Sequence, residues 1–188
     1  MTIDEIGQRL KEGNKRFVAD KPERDLQDTA RREALRGGQE PYAIILSCAD
    51  SRVIPELAFD TGIGEIFVIR VAGNVANTSS IASIEYAVAH LGSKLIVVLG
   101  HQKCGAVTAA AVGGDNGHNL NHLLAHIAPA LAASEDLTDI TAVVKKNAEL
   151  QAEELKNRSS IIRRAVDSGE VGIVPAYYHL DTGKVEFL

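Results

Sequence analysis

With 188 residues, 45% of them hydrophobic and 24% charged, the chain has the length of one domain and enough apolar matter for a real core, which excludes disordered and fibrous classes. A formal charge of −5 without a long Lys/Arg run gives no electrostatic reason to bind nucleic acid or an anionic membrane. No apolar run approaches a membrane span, and two cysteines are better read as metal or catalytic groups than as one disulfide.

Ile3, Ile6, Leu10 and Phe17 fall near helical spacing with Glu, Lys and Arg between them, which predicts an amphipathic helix over 3–19 that packs on a core or a partner. The opening Met1-Thr2-Ile3-Asp4-Glu5-Ile6 carries acids and no apolar stretch of the secretory kind, so a cytoplasmic protein without appended targeting segments is expected. Residues 20–41 are polar, with Pro22, Pro41 and Gly37-Gly38, and read as a connecting arm holding at most one helical turn. Three apolar runs rich in β-branched residues follow, Tyr42 to Leu46, Ile66 to Ile69 and Leu95 to Leu99, and are expected to be buried strands. Ser79 to Leu91 has helical periodicity, a Ser as cap candidate and Gly92 as terminator, giving a strand-helix-strand crossover. Helical patterns continue over 104–111, 120–132 and 138–168. A last strand, Val171 to Tyr178, turns through Asp181-Thr182-Gly183-Lys184 into Val185-Glu186-Phe187 as an edge hairpin.

This alternation predicts an α/β fold: a mainly parallel central sheet flanked by helices, with an N-terminal helical arm over 1–40 and a single α/β domain over 41–188. Ligand sites in such sheets lie beyond the carboxyl ends of the strands at the topological switch point. Two of those ends carry metal-type ligands here: Ser47-Cys48-Ala49-Asp50-Ser51-Arg52 and Gly100-His101-Gln102-Lys103-Cys104-Gly105. If the two strands are neighbours, Cys48, His101 and Cys104 face one another. Two thiolates and one imidazole are a known set for catalytic zinc, leaving a fourth position open, whereas a structural site would use four protein ligands. Taken singly, Cys48 reads as a small core residue and His101 as a satisfied loop histidine; the joint pattern makes that reading weak.

Asp50 and Arg52 stand two residues apart beside Cys48. Free of Arg52, Asp50 can close the fourth zinc position as a conditional ligand; paired with Arg52 by a bidentate contact, it can accept a hydrogen bond from a zinc-bound hydroxide and aim it. Two thiolates and a neutral His leave Zn²⁺ formally neutral, so bound water should titrate above the value of about 7 found at three-histidine sites, and activity should rise with pH. Gly73, in Arg70-Val71-Ala72-Gly73-Asn74-Val75-Ala76-Asn77, lets backbone approach a ligand closely, and this loop, Gly73 and Val75 above all, is expected to wall the substrate pocket. His118, His122 and His126 recur every four residues but lack an acidic or Cys partner, and read as a solvated helix face.

The paired segments Cys48-Ala49-Asp50-Ser51-Arg52 and Gly100-His101-Gln102-Lys103-Cys104-Gly105-Ala106-Val107 resemble those of the β-class carbonic anhydrases. The likeness extends through Pro55-Glu56, Phe59-Asp60, Phe67-Val68-Ile69-Arg70, Ala72-Gly73-Asn74, Ser83-Ile84-Glu85-Tyr86-Ala87, Asn147 and Tyr178. It implies one zinc per chain held by Cys48, His101 and Cys104, with Asp50 and Arg52 as a gating dyad, and hydration of carbon dioxide to bicarbonate and a proton by a zinc-bound hydroxide. It also implies a homodimer or dimer-based tetramer in which the N-terminal helix embraces the partner. Two departures stand out: Val71 replaces the Asn usual after the Arg, and the chain has no Trp, Ile45 standing where some members carry the Trp of a regulatory bicarbonate site alongside Arg70 and Tyr178. That form of control is not expected here. Nor does Val75 to Ser83 contain the pocket Gln of the plant-type members. The rival readings are a carbonyl sulfide or carbon disulfide hydrolase on the same scaffold, and a non-catalytic module whose zinc is structural.

Overall fold

A computed structural model describes residues 1–188, and its first element is helix α1 (Ile3–Val18). A capping box starts it: the Thr2 hydroxyl accepts from the Glu5 N–H while the Glu5 carboxylate accepts from the Thr2 N–H. Asp4 and Glu5 at the first turn and Lys15 and Arg16 at the last complement the helix dipole. Ile6, Leu10, Gly13 and Asn14 form its buried stripe, which lies on the chain's own sheet. Gly13 permits contact so close that an added Cβ would sit 1.9 Å from the Phe59 carbonyl oxygen. Asn14, 4% exposed, donates to the carbonyls of Ala58 and Gly183 and accepts from the Val185 N–H, so one amide ties the helix to residue 58 and to the C-terminal hairpin.

The polar stretch after it contains a single short helix, α2 (Thr29–Ala34), with no buried residue. Then come β1 (Ala43–Ser47), α3 (Pro55–Ala58), β2 (Ile66–Arg70), a short 3-10 turn (Ala72–Asn74), α4 (Thr78–Leu91) and β3 (Leu95–His101). The chain continues through α5 (Gly105–Val112), α6 (His118–Ala125), α7 (Ala128–Ala132), α8 (Ile140–Arg158) and α9 (Ser160–Asp167) to β4 (Gly172–Tyr178) and β5 (Val185–Phe187). The strands form one sheet in the order β2-β1-β3-β4-β5, parallel except for the β4–β5 pair. The α/β class, parallel sheet and edge hairpin are as the alternation of patterns predicts.

Period-two alternation splits the central strands between two cores. Ile44, Leu46, Ile96 and Val98 face α4, α8 and α9, while Ala43, Ile45, Val97 and Leu99 face α1 and α3. Burial of each Ile or Leu side chain contributes about 1.5–3 kcal/mol, which is why these two strands resist movement. The second predicted strand is not buried as expected: β2 is half-exposed because it is the sheet's edge and has a neighbour only in β1.

Three helix boundaries also differ from expectation. The cap of α4 is Asn77, whose side chain accepts from the Ser80 N–H, and Ser80 Oγ instead donates to the carbonyls of Val75 and Asn77. The stretch 120–132 is two helices, starting at His118 and broken between Ala125 and Ala128. The stretch 138–168 breaks at Ser159, which ends α8 and caps α9 by accepting from the Ile162 N–H.

Candidate metal centre

From β1 the chain turns out to β2, and α4 then carries it back across to β3 on the other side of β1, so the strand order reverses between β1 and β3. Ser47 pairs with Leu99 at the carboxyl end of that junction. Cys48 is the first residue past β1, and His101 is the last residue of β3. Lys103, at φ 54°, reverses the chain so that Cys104 returns to the same point as the N-cap of α5. The Cys48 and Cys104 sulfurs and the nearest His101 ring nitrogen all lie within 4.8 Å of one another, and all three residues are buried. They are the one group of three or more His, Cys, Asp or Glu side chains with that convergence.

His101 Nδ1 lies 3.0 Å from the Gln102 carbonyl oxygen. A carbonyl carries no proton, so Nδ1 is the protonated nitrogen and Nε2 presents its lone pair. Nε2 is buried and has no hydrogen-bond partner in the protein, an arrangement costly unless something else satisfies it. The sulfurs tell the same story. The neighbouring Cys104 thiol, with the N–H groups of Gly73 and Asp50, outweighs burial and holds the Cys48 thiol below its usual range. That contact, burial and the charge on Cys48 push the Cys104 thiol up. A divalent cation placed between the two sulfurs would satisfy both at once. Two sulfurs and one neutral imidazole nitrogen, with no fourth side chain on the centre, fit zinc with an open position.

Asp50 sits at the rim of this cluster. Its Oδ1 accepts from Arg52 N and Nε, both at 2.9 Å, and its Oδ2 from Arg52 Nη2 at 2.7 Å. Oδ2 is also 3.8 Å from His101 Nε2. The Arg52 contact holds the Asp50 carboxyl well below the usual carboxylate range. Arg70, from the end of β2, donates through Nε to the Cys48 carbonyl and through Nη2 to the Asp50 carbonyl, clamping the loop that carries both.

Of the expected wall residues, Gly73 donates its N–H to Cys48 Sγ at 3.3 Å. Its φ of 72° favours glycine, and a Cβ there would come within 2.8 Å of Ile127. Val75 is buried in the apolar cluster that contains both ligand-type sulfurs, Val107, Ile127 and Tyr177. His118 and His122 are exposed on α6, His126 is its half-exposed C-cap, and none joins a donor group. The sequence marks Arg70 and Asn147 but not their contacts, Arg70 on the Cys48 and Asp50 carbonyls and Asn147 on the Gly73 carbonyl, and it does not mark Gln151, which is bonded to Ala76. The signal for Gln151 is a polar residue on the helical face otherwise made of Val143, Val144, Ala148, Ala152 and Leu155.

Residues 43–185 match the family profile described as carbonic anhydrase. The chain is similar to carbonic anhydrase 2 of Mycobacterium tuberculosis, 40% identical over 181 residues that cover 93% of this chain and 87% of that protein. Its fold is similar to a β-carbonic anhydrase of Coccomyxa solved with acetazolamide, with TM-score 0.77, 26% identity and coverage of 94% and 83%. One of two tetrameric β-carbonic anhydrases of Sordaria macrospora matches with TM-score 0.76, 25% identity and coverage of 94% and 93%. By sequence, fold and the ligand-type cluster at the strand ends, the chain belongs to the β-class carbonic anhydrase family of enzymes.

Proposed function

We propose that this enzyme hydrates carbon dioxide reversibly to bicarbonate and a proton at one zinc ion held by Cys48, His101 and Cys104, with Asp50 and Arg52 as its gating dyad. The observation that carries the reading is the buried, unpartnered His101 Nε2 within 4.8 Å of two buried sulfurs. Bound there, zinc supplies Lewis acidity that lowers the pKa of water in its open position.

The chain's own groups do the rest. Arg52 occupies both oxygens of Asp50, which keeps the carboxylate from closing the fourth position while leaving it an acceptor 3.8 Å from a metal-type nitrogen. From there Asp50 accepts a hydrogen bond from the attacking oxygen and orients its lone pair toward the substrate carbon. Gly73 and Val75 make the packing behind the cluster apolar, which suits a linear, uncharged substrate better than a solvated one. A structural-zinc reading needs Asp50 on the metal, and its engagement with Arg52 speaks against that.

Residues 1–40 as a partner-embracing arm, and 41–188 as the catalytic domain of a homodimer or dimer-based tetramer, belong to the same proposal. The profile match over 43–185 and the tetrameric proteins of Sordaria support it. A cytoplasmic site of action suits two thiols this close, which need a reducing compartment. No helix of the chain is long and apolar enough to cross a membrane.

Stopped-flow hydration of carbon dioxide, run at pH 7 and pH 8.5 on protein of assayed zinc content, tests the reading. Zinc-dependent hydration, faster at the higher pH, is expected. Full zinc occupancy with no hydration at either pH overturns it, and rapid turnover of carbonyl sulfide by that protein would assign the centre to sulfur chemistry instead.

A further inference from the structure

Two amides on the inner face of α8 have no counterpart in the account above. Asn147 is 0% and Gln151 3% exposed, on a face otherwise apolar. Burying two amides costs stability unless they are bonded, and here one bond from each runs to the same loop. Asn147 Nδ2 donates to the Gly73 carbonyl at 2.9 Å. Gln151 Oε1 accepts from the Ala76 N–H at 2.7 Å. Gln151 Nε2 donates to the His126 carbonyl at 2.9 Å and to Asn147 Oδ1 at 3.2 Å, so the amides also fix each other. The segment Gly73–Ala76 is thus held at both ends by one rigid helix, and its first residue is the one whose N–H points at Cys48 Sγ.

A donor supplied by backbone cannot be set by its own side chain, least of all at a glycine free to rotate. Its aim has to come from what holds the surrounding peptides: the backbone bonds of Val71 N–H to the Ser47 carbonyl and Asn74 N–H to the Val71 carbonyl on one side, and Asn147 and then Gln151 on the other. An N–H on a thiolate withdraws electron density from the sulfur and fixes its direction, which decides how it serves a metal.

We propose that Asn147 and Gln151 are positioning residues for the metal centre, acting through the Gly73 N–H to orient and tune Cys48. This rests on the reading that Cys48 is a metal ligand. The amides touch neither metal nor substrate; what they govern is the sulfur's donor strength and how long the ion stays.

The test uses full-length protein loaded with cobalt(II), comparing the parent with Asn147→Leu and Gln151→Met, which keep side-chain size and remove the hydrogen bonds. Leu155→Ala, buried on the same helix in the core facing α4 and α9, controls for simple destabilisation. The amide variants are expected to bind metal about 10–100-fold more weakly in chelator competition, and to shift the sulfur-to-cobalt charge-transfer band to longer wavelength. Leu155→Ala is expected to move neither. Folded amide variants with the parent's band and affinity overturn the proposal, as does an equal effect of Leu155→Ala. Should the variants not fold, the parent decides: loaded with cadmium-113, it is expected to show scalar coupling between the metal and the Gly73 amide proton, and absence of that coupling overturns the proposal. A parent that takes up no metal overturns the function proposed above along with it, whereas a metal-binding parent with unresponsive variants overturns the positioning role alone.

Discussion

Asp50 has two oxygens and Arg52 occupies both, so the dyad's state is written in one guanidinium. Under the function proposed above, Arg52→Ala frees the carboxylate beside an open coordination position. The expected outcome is Asp50 on the metal and a 10–100-fold fall in kcat/KM, seen by X-ray absorption of the zinc form alongside stopped-flow rates. Unchanged coordination and rate across pH would remove Arg52 from the mechanism. At this scale the sequence was legible where side chains carry the chemistry: Cys48, His101 and Cys104 announce themselves because each follows or ends a strand. It was not legible where backbone does the work. Nothing in the letter Gly reveals that the Gly73 N–H meets Cys48 Sγ, and nothing in Arg70 reveals that it clamps two carbonyls. A Gln on a helix reads as a surface residue until the fold puts Gln151 inside.

Among the elements, the junction between α1 and the exposed stretch after it depends on one acid. Asp60 accepts from Arg16 Nε at 2.6 Å and from the N–H groups of Glu23 and Arg24. Burial pushes its carboxyl up, but the Arg16 bond and those N–H groups outweigh burial and leave it below the ordinary carboxylate value. A depressed folded pKa stabilises above the unfolded value of about 3.9 and loses that contribution as pH falls through the folded pKa. Acidification below about pH 4 should therefore loosen residues 19–28 before the sheet, raising their amide exchange. Asp60→Asn should abolish this local acid response, and equal acid sensitivity in that variant would rule Asp60 out as its source. The element boundaries that sequence misplaced share a cause. Serine is tolerated inside helices, so the break at Ser159 becomes visible only when its hydroxyl is seen capping α9. The half-exposure of β2 follows from strand order, which a list of apolar runs does not contain.

For the molecule as a whole, the cluster of Cys48, His101 and Cys104 brings together segments that the sheet holds only on one side. Residues 48–52 and 101–105 meet at the carboxyl edge, beyond the ladder that locks β1 to β3. Metal at about a hundred times its Kd adds about 2.7 kcal/mol to folded-state stability, which at this chain length corresponds to about 5–10 °C in Tm. Chelation is expected to lower Tm by that amount and to speed amide exchange in those two loops, with 43–46 and 95–99 still protected. A Tm indifferent to chelator would mean that the centre does not hold metal in the folded chain. The class of fold was legible from the alternation of strand and helix patterns, since the continuous apolar runs of β1 and β3 need helices on both faces.

The contact of Gly13 with the Phe59 carbonyl has a consequence for how such a protein is surveyed. No side chain, not even a methyl group, fits in that gap, so selection for carbon dioxide hydration in a library of all substitutions would deplete position 13 as fully as position 48. Intolerance to replacement would then outline the seam between a helix and its sheet as sharply as it outlines the chemistry, and a map of indispensable positions would be in part a map of where two backbones touch.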